Sequence, residues 1–173
     1  MRGSSASFGI VTSIQVQTFP APPSATVLEY NWELSVVDAI NVVEQFQTFV
    51  QTNISAKWGG AIDLQKGTAT GRVWVNLSGG WYGPADQLAA VMAPFLSKVP
   101  KPSSVSLTPG TYINSVIIFG GLNRLNTTGI PDTHDTFYAK SLMVPEASPM
   151  STGAISEFIS YLGNQGFTAD TVR

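Results

Sequence analysis

The sequence predicts an α+β domain, an antiparallel β-sheet with helices packed on one face. Two observations predict it. Stretches of period-two alternation and stretches of helical period follow one another in the order β, α, β, β, α, α, β, α, which suits helices laid on one side of an antiparallel sheet. The chain of 173 residues is 43% hydrophobic and holds four Trp, five Tyr and nine Phe, enough apolar surface to offset the entropy of ordering one domain with a real core.

Phe8, Ile10, Ile14 and Val16 alternate with Ser13, Gln15 and Gln17, so Phe8 to Phe19 reads as a half-buried strand. Pro20, Pro22 and Pro23 end it and mark a boundary between structural units, since proline gives no ladder donor and favours extended linkers. From Thr26 to Leu34 the pattern is sharper: Leu28, Tyr30, Trp32 and Leu34 fall on one face, Glu29, Asn31 and Glu33 on the other. Ser35 with Asp38 has the form of a helix N-terminus, the hydroxyl accepting an orphan N–H and the acid suiting the dipole. Val36, Ile40, Val43, Phe46 and Val50 then repeat at helical spacing.

A hairpin is expected next, Trp58 to Gln65 and Arg72 to Ser78, with Gly67 and Gly71 bracketing its turn. Pro84 suits the first turn of a second helix, whose stripe is Leu88, Val91, Met92, Phe95 and Leu96; Pro94 predicts a kink or an early end. Pro100 to Pro109 reads as a breaker-rich connection. Tyr112, Ile113, Val116 and Ile117 predict a short helix stopping at Gly120 and Gly121, and Thr136 to Val144 a strand. Ser151, Ile155, Phe158, Ile159 and Leu162 predict the last helix, with Gly163 as its stop.

Composition excludes much. Charged residues make up 12%, against roughly 25% in an ordinary soluble domain, so most of the surface is neutral. A net charge of -2 and no Lys or Arg run argue against nucleic acid and against a polybasic membrane patch. With no Cys and one His there is no thiol nucleophile, no disulfide, and no thiolate or multi-histidine metal site. No stretch of 18 apolar residues occurs, and Met1 to Ser5 lacks the apolar run of a signal peptide.

Few residues suggest chemistry. His134 beside Asp135 has the makings of a general base, but neighbours on a strand point apart, and an exposed loop pair is the plainer reading. No Ser sits in a Gly-x-Ser-x-Gly elbow, and Gly59-Gly60 and Gly79-Gly80 read as hairpin punctuation. Asp63 and Gln65 share one strand face, either a solvated face or, with Trp58, Trp74 and Trp81 nearby for stacking, a surface for hydroxyl-rich neutral ligands. Core packing is the plain alternative for each Trp. Asn53, Asn76 and Asn126 begin Asn-x-Ser/Thr triplets without proline, compatible with glycosylation and a secreted origin.

The segment Arg2-Gly3-Ser4-Ser5-Ala6-Ser7-Phe8-Gly9-Ile10-Val11-Thr12 resembles the passage from flavin domain to substrate domain in fungal FAD-linked oligosaccharide oxidases. These form the berberine-bridge-enzyme-like branch of the vanillyl-alcohol-oxidase superfamily. Thr18-Phe19-Pro20-Ala21-Pro22, the helix from Tyr82-Gly83-Pro84 to Pro94-Phe95-Leu96, and Phe137-Tyr138-Ala139-Lys140-Ser141-Leu142 look like the same family, in family order. The resemblance implies that residues 1–22 are the last strand of a flavin domain and a linker, and that 23–173 form a partial substrate-binding domain. It implies a secreted parent enzyme whose flavin oxidises the anomeric hydroxyl of sugars.

The same resemblance assigns Gly9, Ile10 and Val11 a backbone contact to FAD, too little to hold the cofactor, so none is expected on this chain. In the family a covalent His and Cys often link the flavin; here there is no Cys, and His134 lies elsewhere. Members continue beyond the last helix to a catalytic tyrosine, whereas this sequence stops at Arg173, so no catalytic residue and no activity are expected of it. Asp63 and Gln65, with Tyr138 as a lesser candidate, are the expected sugar contacts. Expected partners are an oligosaccharide, the flavin domain and, through open sheet edges, a second copy; a stand-alone carbohydrate-binding or interaction domain is the alternative.

Overall fold

In the computed structural model, residues 12–52, 54–125, 143–145 and 147–165 are described. Strand β1, Ala25–Ser35, buries Leu28, Tyr30, Trp32 and Leu34 on one side, and leaves Glu29, Asn31 and Glu33 on the other, as its alternation dictates. Ser35 then turns the chain into helix α1, Val36–Gln51: its Oγ accepts the Asp38 N–H at 3.1 Å and donates to the Asp38 carboxylate at 2.7 Å.

Strands β2 (Trp58–Lys66) and β3 (Arg72–Trp81) form the expected hairpin. Gly71 sits at φ 79°, where only glycine is unstrained, and the Gly67 N–H donates to the Arg72 carbonyl at 2.9 Å to close the turn. A 3-10 turn, Ala85–Gln87, leads from Pro84 into α2, Leu88–Leu96, which ends two residues after Pro94. Strand β4, Ser104–Gly110, precedes α3, Tyr112–Phe119, capped by reciprocal bonds between Thr111 and Asn114. Helix α4 is Thr152–Gln165.

The four strands are ordered β2-β3-β1-β4, every pair antiparallel. The core lies between one sheet face and α1, α2 and α4. Phe95 of α2 is its hub, edge-on to Trp32 and Phe46 and tilted against Phe49, with ring centroids 5.7 to 6.4 Å apart. Ile155 and Ile159 of α4 close the core over β2 and β3. The α+β class, an antiparallel sheet with helices, is as the sequence predicts; α1, α2 and α4 cover the apolar face, and α3 adds no residue to that core.

Several elements differ from expectation. Residues 12–19, the described part of the Phe8 to Phe19 strand, belong to no ladder, with Ile14, Val16 and Phe19 exposed; alternation cannot make a strand without a pairing partner. The Pro100 to Pro109 stretch hides β4, because an edge strand tolerates Pro109 at its end. The observed order among described residues is therefore β, α, β, β, α, β, α, α. Of the Thr136 to Val144 strand only Met143 and Val144 are described, outside any strand.

Glycines account for two more differences. Gly163 does not stop the last helix; it is buried within α4, where its missing side chain lets the helix approach Val36 and Val73. The Gly59-Gly60 and Gly79-Gly80 pairs are not turn punctuation but face each other inside the β2–β3 ladder, Gly59 opposite Gly80 and Gly60 opposite Gly79. A Cβ on Gly79 would collide with the Gly59 carbonyl and one on Gly60 with the Ser78 carbonyl, so these two permit close backbone approach, whereas Gly80 makes room for the Tyr82 ring and Gly59 faces open space.

Candidate functional site: the polar face of the sheet

Turned away from α1, α2 and α4, the second sheet face is built in rows by the strand register. Asp63, Asn76, Asn31 and Ser104 form one row across all four strands. Gln65, Trp74 and Glu33 form the row beside it, and Ala61, Ser78, Glu29 and Ser106 the row on its other side. Directly opposed side chains stand roughly 4.5–5.5 Å apart at Cβ, so the row Asp63, Asn76, Asn31, Ser104 is a continuous strip of hydrogen-bonding groups.

Asn76 holds the strip together. It is 5% exposed, and its Nδ2 donates to Glu29 Oε1 at 3.1 Å and to Asn31 Oδ1 at 2.8 Å. Asn31 Nδ2 in turn donates to Ser104 Oγ at 3.3 Å, so one network couples β3, β1 and β4. Glu33 is tied at the neighbouring turn, where its Oε1 accepts the Thr68 N–H at 2.8 Å and the Thr68 hydroxyl at 3.0 Å. Asp63 is exposed and Gln65 half-buried, both free to meet a ligand at the β2 edge of the strip.

The expected pair Asp63 and Gln65 does share a face. Of the three tryptophans considered with them, Trp74 alone lies on that face; Trp81 is buried in the core and Trp58 packs edge-on against Phe49 at 5.6 Å. Asn76 cannot serve as a glycan acceptor in this fold, because its amide nitrogen is buried and committed to two acceptors. Gly9, Ile10, Val11, Asn53, Asn126, His134, Asp135 and Tyr138 lie outside the described residues.

The sequence does not single out Asn31 and Glu29 as site residues, and points to Asn76 only as a glycan acceptor. The signal for Asn31 and Glu29 is the polar parity of β1, which cannot say that Asn76 of β3 stands across from it until the register is known. The two larger cavities of the described residues lie elsewhere. One of about 680 Å³ is an apolar groove between α2 and β4 over Tyr30, Leu88, Leu96 and Leu107; burial raises the Tyr30 hydroxyl pKa above the usual tyrosine range. The other, about 550 Å³, is framed by Pro22, Pro23, Lys57, Tyr82 and Tyr112. Among the described residues no cluster of His, Asp and Glu could hold a metal ion, and no helix is long and apolar enough to cross a membrane.

No family model matches the chain. Among curated proteins, a chitooligosaccharide oxidase of Gibberella zeae is 28% identical over 169 residues, covering 94% of this chain and 32% of its own length. A glucooligosaccharide oxidase of Sarocladium strictum is 25% identical over 165 residues, 93% of this chain and 31% of its own. The chain thus spans about a third of the length of the curated relatives it matches. In solved structures, a chitooligosaccharide oxidase superposes with a TM-score of 0.77 at 24% identity, over 95% of this chain and 33% of that one. A glucooligosaccharide oxidase from Acremonium strictum gives 0.70 at 22% identity, over 87% and 30%. These superpositions share the fold. The likeness to fungal FAD-linked oligosaccharide oxidases carried by the sequence motifs extends along nearly the whole chain.

Proposed function

We propose that this chain is the substrate-domain portion of an FAD-dependent oligosaccharide oxidoreductase, and that its polar sheet face forms one wall of the carbohydrate groove. The observation that carries the reading is the row Asp63, Asn76, Asn31, Ser104, a four-strand strip of amide, carboxylate and hydroxyl groups, in a chain similar to oligosaccharide oxidases. Such groups suit uncharged ligands rich in hydroxyls. Asp63 and Gln65 meet sugar hydroxyls at the β2 edge, Tyr138 adds a contact, and the Asn76 network holds the strip rigid beneath them.

The described residues do not fit FAD by themselves. A dinucleotide cofactor asks for backbone or cationic groups around its pyrophosphate, whereas the polar face presents the carboxylates of Glu29, Glu33 and Asp63, the guanidinium of Arg72 on that side is taken by the Glu33 carbonyl, and Lys57 is the one cation lining the two larger cavities. The flavin, which accepts the hydride when the anomeric hydroxyl is oxidised, is held in this reading by other segments of a longer, secreted protein, with Gly9 to Val11 adding a backbone contact. Asn53 and Asn126 remain its candidate glycan acceptors. In this reading the hydride acceptor is supplied from outside these residues, and the chain by itself is expected to turn over no sugar.

Half a groove also sets the affinity. Two or three uncharged hydrogen bonds, each contributing about 0.5–1.5 kcal/mol, against the entropy of immobilising a sugar, give binding on the order of millimolar. A stand-alone carbohydrate-binding module would bind tighter with the same face. Purified chain is incubated with FAD and cello-, chito- or malto-oligosaccharides. The reading expects colourless protein and no hydrogen peroxide above a heat-treated blank; a one-to-one yellow complex or turnover overturns it, and micromolar sugar binding without either favours the module.

A further inference from the structure

We propose that Trp74 is the stacking platform of this sheet face, the surface on which the apolar C–H face of a neutral pyranose ring lies. The proposal rests on the reading of the face as a sugar-groove wall. The four indoles have different surroundings. Trp32 is buried, edge-on to Phe95, and its N–H donates to the Pro100 carbonyl at 2.8 Å. Trp81 is buried and donates to the Pro84 carbonyl at 2.8 Å. Trp58 is packed on Phe49, with its N–H sealed from solvent.

Trp74 shares none of these restraints. Although β3 is a central strand, Trp74 is half-buried on its polar side, and among the described residues its ring pairs with no other aromatic and its N–H has no partner. Half-buried rather than exposed, the indole still leaves part of its apolar area to solvent, area that a ligand laid on this face would cover. Its neighbours fit a sugar as the cover. Gln65 stands directly opposite on β2 and Asp63 one diagonal away, roughly 7–8 Å, within reach of the equatorial hydroxyls of a ring laid on the indole. On the β1 side Glu33 is held by Thr68, so its carboxylate does not swing over the ring face.

Flat C–H faces belong to gluco-configured rings, so cellobiose and chitobiose are the probes. In native chain labelled at nitrogen, titration with either should move the Trp74 indole N–H resonance together with the Asp63 and Gln65 amides, leaving the other three indoles in place. Trp74→Ala should weaken binding by roughly tenfold or more, and Trp74→Phe, which keeps a ring, by only a few-fold. The indole shift and the Phe variant decide the matter if the Ala variant folds poorly. If the Asp63 and Gln65 amides move while the Trp74 indole does not and Trp74→Phe binds as native, the platform is refuted and the wall reading survives. If no residue of this face moves, both fail.

Discussion

Replacing Asn76 by Ala tests the network on which the site depends. The side chain is 5% exposed and donates to a carboxylate at 3.1 Å and to an amide oxygen at 2.8 Å. A hydrogen bond to a charged group contributes about 1.5–3 kcal/mol and a neutral one about 0.5–1.5 kcal/mol. Glu29 is exposed, so its freed oxygen regains water and the lower ends apply, about 2 kcal/mol together. For a domain of this size that is a fall in Tm of roughly 4–8 °C. Asn76→Asp separates hydrogen bonding from shape: it keeps the volume, loses both donors and sets a third carboxylate beside Glu29 and Asp63. Burial and like charge raise the pKa of that new acid above its unfolded value, so its penalty is greatest at neutral pH and shrinks as pH falls through the folded pKa. Thermal melts at pH 7 and pH 4.5 should show Asn76→Asp the less stable variant at the first and overtaking Asn76→Ala at the second. Melts of both variants within about 2 °C of native would refute the reasoning.

Three further perturbations follow from the packing. In Gly163→Ala the new Cβ would meet Val36 Cγ2 at 2.7 Å and Val73 Cγ2 at 3.2 Å; overpacking of about 1–3 kcal/mol outweighs the roughly 1 kcal/mol helix gain, so the variant should be less stable, and adding Val36→Ala should restore it in urea denaturation. Tyr30 has a raised pKa because of burial, so its contribution is complete below the unfolded pKa and lost as pH rises through the folded one; Tyr30→Phe should lose less stability than native above about pH 10, and parallel alkaline curves would contradict this. Strand β4 is an edge whose apolar side leaves Val105 and Leu107 about half exposed, with no charge among Ser104 to Gly110, so the isolated chain should self-associate at high concentration. Light scattering that shows a clean monomer across a hundredfold concentration range would count against it.

How much of this could be read from the residues depends on what made each element. Strand β1 and α1 were legible because local signals agreed: strict alternation from Leu28 to Leu34, then the Ser35 cap and a helical stripe. Strand β4 was not, since Pro102 and Pro109 carry the local signal of a breaker while edge position, a tertiary fact, decides the outcome. The same holds for the ladder glycines: the close approach of β2 to β3 at Gly60 and Gly79 has no local signature. At the site, parity was enough to put Asp63 and Gln65 together and to put Glu29, Asn31 and Glu33 together. Only register brought the two sets to one face with Asn76 between them and Trp74 beside Gln65.

The central claim, that this sheet face meets carbohydrate, is tested most directly by amide chemical-shift mapping of the full chain titrated with cellobiose, chitobiose and xylobiose. The account predicts small, saturable shifts at millimolar sugar, concentrated on Asp63 and Gln65 and their neighbours across the strip, and their loss in Asp63→Ala/Gln65→Ala. Shifts that gather instead around Tyr30, Leu96 and Leu107 in the groove between α2 and β4, or that persist unchanged in the double variant, would contradict it.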